Sequence, residues 1–151
     1  SAASDVYKRQ QELMANGTHF MNPHGLHDDN HYTTAYDLYL IFNECIKHED
    51  FVNIIQSEAY TAYYTDVDGN SQEVLFTPTN LYAQGEVDVP ENVTIVGGKT
   101  GTTDEAGYCL ILMEKDSSDN PYISIVMGAS EKPVLYEDMT SLIEAIPSGQ
   151  Q

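Results

Sequence analysis

Apolar residues in the segment after HYTT recur at intervals of three and four, which is the spacing of one face of an amphipathic helix. They are Leu38, Ile41, Phe42, Cys45 and Ile46. Thr33 or Thr34 can cap this helix, and Asp37 is placed to help its N-terminal end. A second apolar run, FVNII at 51–55, predicts that helical structure continues after a break near 49–50.

The residues before this helix follow a different pattern. QELMANG, from residue 11, predicts the tail of a helix that ends at Asn16-Gly17, because both residues tolerate the left-handed conformation of a helix C-cap. Turn-forming residues then continue as far as Asn30 and surround short apolar insertions. This stretch therefore predicts a loop.

From residue 58 the pattern changes to the alternation of β-strands. EAYTAYYTDVDGNSQEVLFTPT predicts a hairpin that turns at 68–70, with its tyrosines pairing across the strands. Three further strands follow. They are NVTIVGG leading into KTGTT, then GYCLILMEK, and then PYISIVMGA, with the polar turn DSSDN between the last two.

The closing segment, KPVLYEDMTSLIEAI, predicts an amphipathic helix with one apolar stripe. The stripe consists of Leu135, Met139, Leu142, Ile143 and Ile146. Helices followed by strands joined by short turns, and then by a helix that can cover them, indicate the α+β class, an antiparallel sheet with flanking helices.

Composition excludes several kinds of partner. The chain has 151 residues, with 24 acidic and six basic side chains and a formal net charge of −18, so it would repel nucleic acid and anionic lipid. No apolar run is long enough for a membrane helix. Cys45 and Cys109 lie in apolar stretches, which is typical of small buried hydrophobes rather than of a disulfide or a metal pair.

The lysine of VGGKTGTT stands out in so acidic a chain. An anionic substrate would need a locally placed cation, and Lys99 is the obvious candidate. The hydroxyl of Thr100 can donate a hydrogen bond to a carboxylate. Gly101 would let a ligand lie against the strand with no side chain in the way. The tripeptide alone is a weak signal, but it ends one apolar strand and leads directly into another.

Four pieces of the chain, in order, resemble the low-molecular-weight penicillin-binding proteins that act as D-alanyl-D-alanine carboxypeptidases. The pieces are THFMNPHGL at 18–26, HYTTAYDL at 31–38, GGKTGTTDEAGY at 97–108 and IVMGA at 125–129. KTG is similar to the third motif of the serine β-lactamases and penicillin-binding proteins, and the NPHGL and T-A-x-D pieces favour the carboxypeptidases. The resemblance implies a partial fold of that superfamily.

In that family, the serine of an S-x-x-K motif attacks the penultimate D-Ala carbonyl of a peptidoglycan stem peptide, and water releases the acyl-enzyme. The resemblance implies that Lys99 sets the electrostatics of the pocket and that Thr100 binds the terminal carboxylate. Gly101 would give clearance. The backbone N–H of Thr102 would supply one oxyanion-hole donor.

The resemblance also implies partners and a location. The partners are a stem peptide ending in D-Ala-D-Ala and, for the intact enzyme, β-lactams, with no cofactor and no nucleic acid. The intact protein would lie outside the cytoplasm in the bacterial cell envelope, associated with the membrane through segments outside this chain.

The domain organisation predicted from the sequence has three parts. Residues 1–10, SAASDVYKRQ, are similar to one reading frame of an adapter used in transposon-based library preparation, and we interpret them as an adapter-derived scar. Residues 11–146 would be the C-terminal part of a carboxypeptidase catalytic domain, and 147–151 a tail. Without the scar the net charge is 4 − 23 = −19.

The nucleophile motif is absent, because no serine of the chain has a lysine three residues later. The family also has an S-x-N motif, whose serine handles protons and which lies upstream of KTG on a helical segment. An SDN does occur at 118–120, but downstream of KTG and in a predicted turn, where it needs no catalytic reason. In the family a basic residue after the IVMGA strand often assists carboxylate binding, and SEKPVLY offers Lys132 there, with no clear alignment to that contact. We therefore expect the isolated chain to be inactive, and its uncovered apolar sheet predicts aggregation or a molten state.

Two other functions stay open. A non-catalytic domain could keep the KTG strand as a contact for peptidoglycan peptides. Alternatively, a histidine cluster could hold zinc as a metal-binding module. That cluster consists of His19, His24, His27 and His31.

Overall fold

The computed structural model describes residues 2–148. Ser1 of the predicted scar and residues 149–151 of the predicted tail lie outside this range. The elements are α1 (Ala2–Glu12), α2 (Ala35–Cys45), α3 (Glu49–Ile55), β1 (Tyr60–Thr65), β2 (Ser71–Phe76), α4 (Leu81–Gln84), β3 (Val93–Thr103), β4 (Gly107–Asp116), β5 (Pro121–Ala129) and α5 (Lys132–Glu144).

The strands form two separate antiparallel sheets. β1 and β2 form the predicted hairpin, and β3, β4 and β5 form a three-stranded sheet with β4 in the centre. Helices pack against the larger sheet, so the predicted α+β architecture is confirmed. The hairpin stays largely exposed to solvent.

The core lies between the three-stranded sheet and α5. Leu110 and Leu112 alternate along one face of β4 and are at most 2% exposed, as expected for a strand that is half covered. From α5, Met139 and Ile143 reach this face and are fully buried. Each such side chain contributes about 1.5–3 kcal/mol on burial, so this layer holds the sheet and the helix together.

The predicted boundary of the first helix is wrong. α1 ends at Glu12, and the residue in the left-handed conformation is Met14, with φ of 58°. Gly17 is glycine for a different reason, because a β-carbon there would lie 2.9 Å from Cγ2 of Thr34. The close approach of the loop to α2, and not a helix cap, therefore explains this glycine.

The start of α2 agrees with the prediction. The Thr34 hydroxyl accepts a hydrogen bond from the Asp37 N–H at 3.1 Å, as an N-cap does. The Asp37 side chain has a further role, since it is buried and accepts hydrogen bonds from the Gly17 N–H at 2.8 Å and from the Thr18 hydroxyl at 2.7 Å. It fastens the preceding loop to α2.

Two more local predictions need correction. The break between α2 and α3 falls at 46–48, and Glu49 already begins α3. In the hairpin, Tyr60 faces Phe76, but Tyr63 faces Glu73 and Tyr64 faces Gln72, so the aromatic pairing is correct for Tyr60 alone.

The short helix α4 has no counterpart in the sequence-based prediction. Asn80 caps it by accepting from the Tyr82 N–H at 3.0 Å, and Gly85 ends it with φ of 72°. The Leu81 N–H donates to the hydroxyl of Tyr136 on α5 at 3.0 Å. A helix of one turn is therefore anchored by tertiary contacts rather than by its own periodicity.

Both cysteines, Cys45 and Cys109, are free and half-buried. Among residues 2–148, no helix is both long enough and apolar enough to cross a membrane.

Candidate active site

The residues of the KTG motif lie in sequence along an edge strand. β3 pairs with β4 on one side, and no strand of the part that the structure describes pairs with its other side. An edge strand presents unpaired N–H and C=O groups to a ligand. The free edge of β3 can thus receive an extended peptide beside Lys99, Thr100, Gly101 and Thr102.

Lys99 and Thr100 emerge on opposite faces of the sheet. Thr100 pairs with Leu110, whose side chain packs in the core with α5, whereas Lys99 pairs with Ile111 on the other face. Lys99 is exposed, and its ammonium donates to the carbonyl oxygen of Thr100. The positive charge is thereby kept close to the strand on which a substrate would lie.

The hydroxyl of Thr100 has a partner that the sequence did not indicate. It makes a short hydrogen bond with the hydroxyl of Thr79, 21 residues away in the chain. Thr79 directly precedes Asn80, the cap of α4. The Thr-Asn pair before an apolar residue was a detectable cap signal, but nothing local linked it to Thr100.

Gly101 lies in open space. A β-carbon built on it would have no atom of the described residues within 4 Å, apart from its own chain neighbours. The neighbouring Thr102 is also exposed. The clearance expected for a ligand at this point of the strand is therefore physically available.

The NPHGL loop lies near the end of the KTG strand. His27 Nδ1 is 3.8 Å from a carboxylate oxygen of Glu105, in the turn between β3 and β4, and His27 Nε2 is 3.2 Å from Asp29. His27 directly follows the piece at 18–26, and Glu105 belongs to the piece at 97–108, so the end of the first piece lies close to the third. No local feature of the sequence indicates the contact between His27 and Glu105.

The histidines of the proposed zinc cluster have separate backbone partners. Nδ1 of His31 accepts from the Met21 N–H at 3.0 Å, and Nδ1 of His24 accepts from the Leu26 N–H at 3.2 Å. Within residues 2–148, no group of three or more His, Cys, Asp or Glu side chains is arranged to hold a metal ion. The described loop therefore offers no zinc ligand set.

The SDN stretch lies in the turn between β4 and β5, as predicted. Asp119 adopts the left-handed conformation with φ of 67°, and the Asn120 amide donates to Asp116 at 2.9 Å. That bond, assisted by the N–H groups of Asn120 and Ser118 and the hydroxyl of Tyr122, holds the pKa of the Asp116 carboxyl below its ordinary value. These polar groups build the turn.

Lys132 is the first residue of α5 and is exposed. It borders an apolar cleft with Leu81, Val87 and Tyr136, and none of residues 99–102 lines that cleft. In the part of the chain that it describes, the structure therefore shows no contact between Lys132 and residues 99–102, and a role for Lys132 in carboxylate binding stays a prediction.

The chain is similar in sequence to two D-alanyl-D-alanine carboxypeptidases. The chain is 29% identical over 139 residues to the D-alanyl-D-alanine carboxypeptidase DacF of Bacillus subtilis, which covers 91% of this chain and 32% of that protein. It is 30% identical over 121 residues to DacA of Haemophilus influenzae, which covers 80% of this chain and 28% of that carboxypeptidase. The chain thus spans about a third of the length of these relatives.

Solved structures show the same fold. The Streptomyces K15 DD-transpeptidase superposes with a TM-score of 0.81 at 23% identity, over 94% of this chain and 52% of that one. Penicillin binding protein 5 from Haemophilus influenzae superposes with a TM-score of 0.71 at 24% identity, over 94% and 37%. The partial penicillin-binding-protein fold expected from the sequence is confirmed.

A family model described as peptidase S11, D-alanyl-D-alanine carboxypeptidase, matches residues 6–131. This match begins inside the segment interpreted as a scar, and α1 also includes most of that segment, so the scar remains a prediction. The match covers most of the sequence, and the chain belongs to the D-alanyl-D-alanine carboxypeptidase family.

Proposed function

We propose that this chain is the KTG-bearing part of a serine-type D-alanyl-D-alanine carboxypeptidase, which removes the terminal D-Ala from peptidoglycan stem peptides through an acyl-enzyme. The observation that carries the proposal is the exposed edge of β3, where Lys99 and Thr100 precede a glycine with open space beside it. Membership of the family supplies the reaction class.

Each residue of the strand has a role that its chemistry supports. Thr100 donates a hydrogen bond to the terminal carboxylate, and the ammonium of Lys99 makes the local potential favourable for that anion. The substrate backbone lies over Gly101. The N–H of Thr102 then donates to the oxygen that becomes negatively charged when the penultimate carbonyl is attacked.

The reaction also needs a nucleophile that this sequence does not contain. An S-x-x-K serine and an S-x-N serine would complete the site from another part of a longer protein. Alone, the chain would bind substrate weakly and form no acyl-enzyme. The complete enzyme would act outside the cytoplasm in the cell envelope, where D-Ala-D-Ala stem peptides and β-lactams occur.

Covalent labelling tests this proposal directly. The purified chain is incubated with a fluorescent penicillin, and so is a longer protein that includes the coding sequence upstream of Gln11 in the same frame. We expect label on the longer protein only, and release of D-Ala by it from a peptide ending in Lys-D-Ala-D-Ala. Label on the isolated chain would refute the missing-nucleophile argument. An upstream coding sequence without an S-x-x-K motif would refute the proposal that the chain is part of a serine-type carboxypeptidase.

A second candidate is a non-catalytic domain that binds D-Ala-D-Ala peptides. The hydrogen bond between Thr79 and Thr100 favours it, because this half of the site is already organised by residues of the chain itself. It requires cooperative unfolding of the isolated chain and saturable binding of N-acetyl-D-Ala-D-Ala. A chain that unfolds without a transition, or a titration without saturation, excludes it.

A further inference from the structure

Thr79 contacts Thr100, the residue that binds the substrate carboxylate in the proposed function. The two hydroxyl oxygens, Oγ1 of Thr79 and Oγ1 of Thr100, are hydrogen-bonded, and either could be the donor. Thr79 is exposed and Thr100 is half-buried, so the bond lies at the boundary between the core and the open edge of β3. The choice of donor decides what Thr100 can do for a ligand.

The segment that carries Thr79 is firmly held. The carbonyl oxygen of Pro78 accepts from the Gln84 side-chain amide at 2.7 Å. On the other side, Asn80 is only 4% exposed and caps α4. The Leu81 N–H then donates to the hydroxyl of Tyr136 on α5. This bond holds the segment that carries Thr79 in a fixed position relative to α5 and the core.

Proton counting sets the direction of the bond. A hydroxyl has one proton to donate and two lone pairs that accept, whereas an ionised carboxylate only accepts. When Thr100 donates to a carboxylate, its bond to Thr79 can persist only if Thr79 is the donor. The lone pairs of the exposed Thr79 can be satisfied by water, which leaves its proton free for this use.

We propose that Thr79 is a positioning residue of this site, which donates to the Thr100 hydroxyl and so holds its proton toward the substrate carboxylate. The inference rests on the proposed function of Thr100. A chain of two hydroxyls polarised in one direction also strengthens the terminal bond, because each hydrogen bond makes the next donor more acidic. Thr79 thereby contributes to the preference for a free C-terminal carboxylate over an amide.

The test uses the isotopically labelled 151-residue chain and three variants of it, Thr79→Val, Thr79→Ser and Thr77→Val. Thr79→Val keeps the β-branched shape and removes the hydroxyl, and Thr79→Ser restores it. Thr77→Val is the matched control, because Thr77 is also exposed and lies two residues away on the same segment. Three-bond couplings to the Thr100 methyl carbon report its χ1 rotamer. Titrations with N-acetyl-D-Ala-D-Ala and with its C-terminal amide report binding.

We expect a single χ1 rotamer of Thr100 in the wild type, in Thr79→Ser and in Thr77→Val, and rotamer averaging in Thr79→Val. Affinity for the free acid should fall roughly 2- to 10-fold in Thr79→Val, the effect of one hydrogen bond, with no change for the amide. The urea midpoint should stay that of Thr77→Val, which separates positioning from a loss of folding.

Two results overturn the proposal. One is an unchanged Thr100 rotamer in Thr79→Val, which needs no ligand to observe. The other is an equal loss of affinity for acid and amide, which would indicate a general structural effect. Failure of the wild type to bind either peptide counts instead against binding by this half of the site, and the rotamer measurement still decides the role of Thr79.

Discussion

Gly97 of β3 lies against the carbonyl oxygen of Ile55, the last residue of α3. A β-carbon built on Gly97 would be 2.0 Å from that oxygen, far inside van der Waals contact. Gly97 also follows the register shift that leaves Val96 out of the ladder with β4. The end of α3 is therefore seated on the strand that carries Lys99, two residues farther along.

We predict that Gly97→Ala lowers the free energy of unfolding by about 3 kcal/mol or more. The added methyl group would meet the carbonyl oxygen of Ile55, which is a backbone atom and cannot rotate away. Urea unfolding followed by circular dichroism measures this. Gly101→Ala is the matched control on the same strand. Since nothing lies within 4 Å of its added methyl group, its stability should stay within about 1 kcal/mol of wild type while affinity for N-acetyl-D-Ala-D-Ala falls. Equal losses of stability in the two variants would contradict the close contact at Gly97.

The elements that could be predicted from the sequence are those with a local signal. The spacing of Leu38, Phe42 and their neighbours predicts α2, and the alternation in GYCLILMEK predicts β4, because each pattern repeats over several residues. The short helix α4 has only a cap at each end, Asn80 and Gly85, and is stabilised by Tyr136 from far along the chain. No periodicity in four residues could have predicted it.

The same distinction holds for the candidate site. Lys99 to Thr102 could be predicted because the motif is contiguous and each residue type has a chemical purpose. The partner of Thr100 could not, because Thr79 joins it only when α4 packs beside β3. The contact of His27 with Glu105 likewise depends on how a loop folds back on a turn.

The two long turns share one construction, and this allows a matched comparison. Asp66 and Asp116 each accept hydrogen bonds from the N–H groups two and four residues later and from an asparagine side-chain amide. Asp116 is 6% exposed and joins β4 to β5, whereas the hairpin of Asp66 projects into solvent.

We predict that Asp116→Ala lowers the midpoint of global unfolding and that Asp66→Ala does not. Asp116→Ala removes the acceptor of several hydrogen-bond donors at the edge of the core. Asp66→Ala only loosens a hairpin that contributes little to the core. Thermal unfolding by circular dichroism gives the midpoints, and amide exchange of β2 should quicken in Asp66→Ala. Equal midpoint shifts would show that the hairpin belongs to the cooperative unit.

The buried carboxylate of Asp37 predicts a further loss of stability. Asp37→Ala would remove the acceptor that the half-buried Gly17 N–H and Thr18 hydroxyl share, which costs about 1–3 kcal/mol. Chemical denaturation measures the change. Asp29→Ala is the control, because the side chain of Asp29 is 97% exposed and its removal should be neutral. A neutral Asp37→Ala would mean that the loop is not fastened to α2 through this group.

Glu114 is a buried acid in the centre of the sheet. It is fully buried, and within residues 2–148 neither carboxyl oxygen has a hydrogen-bond partner of acceptable geometry. Burial raises the pKa of Glu114 to about 8, and the nearby hydroxyl and N–H of Ser124 oppose that shift only in part. Glu114 is therefore protonated in the folded chain at neutral pH.

We predict that Glu114→Gln stabilises the chain at alkaline pH. The folded-state pKa lies above the ordinary value of 4.5, so the unfolded chain loses its proton first. The stability that the protonated acid contributes is complete below that value and is lost as pH rises toward about 8. Across this window the variant should gain up to about 1.4 kcal/mol per pH unit relative to wild type, and then level off.

Urea unfolding at pH 5, 7 and 9 measures the difference between variant and wild type. The control is Glu73→Gln, which removes an exposed acid from the hairpin and should shift all three values equally. A difference for Glu114→Gln that stays constant with pH would mean that the carboxyl is ionised in the folded chain. In that case, a donor outside residues 2–148 or a solvent path must stabilise its charge.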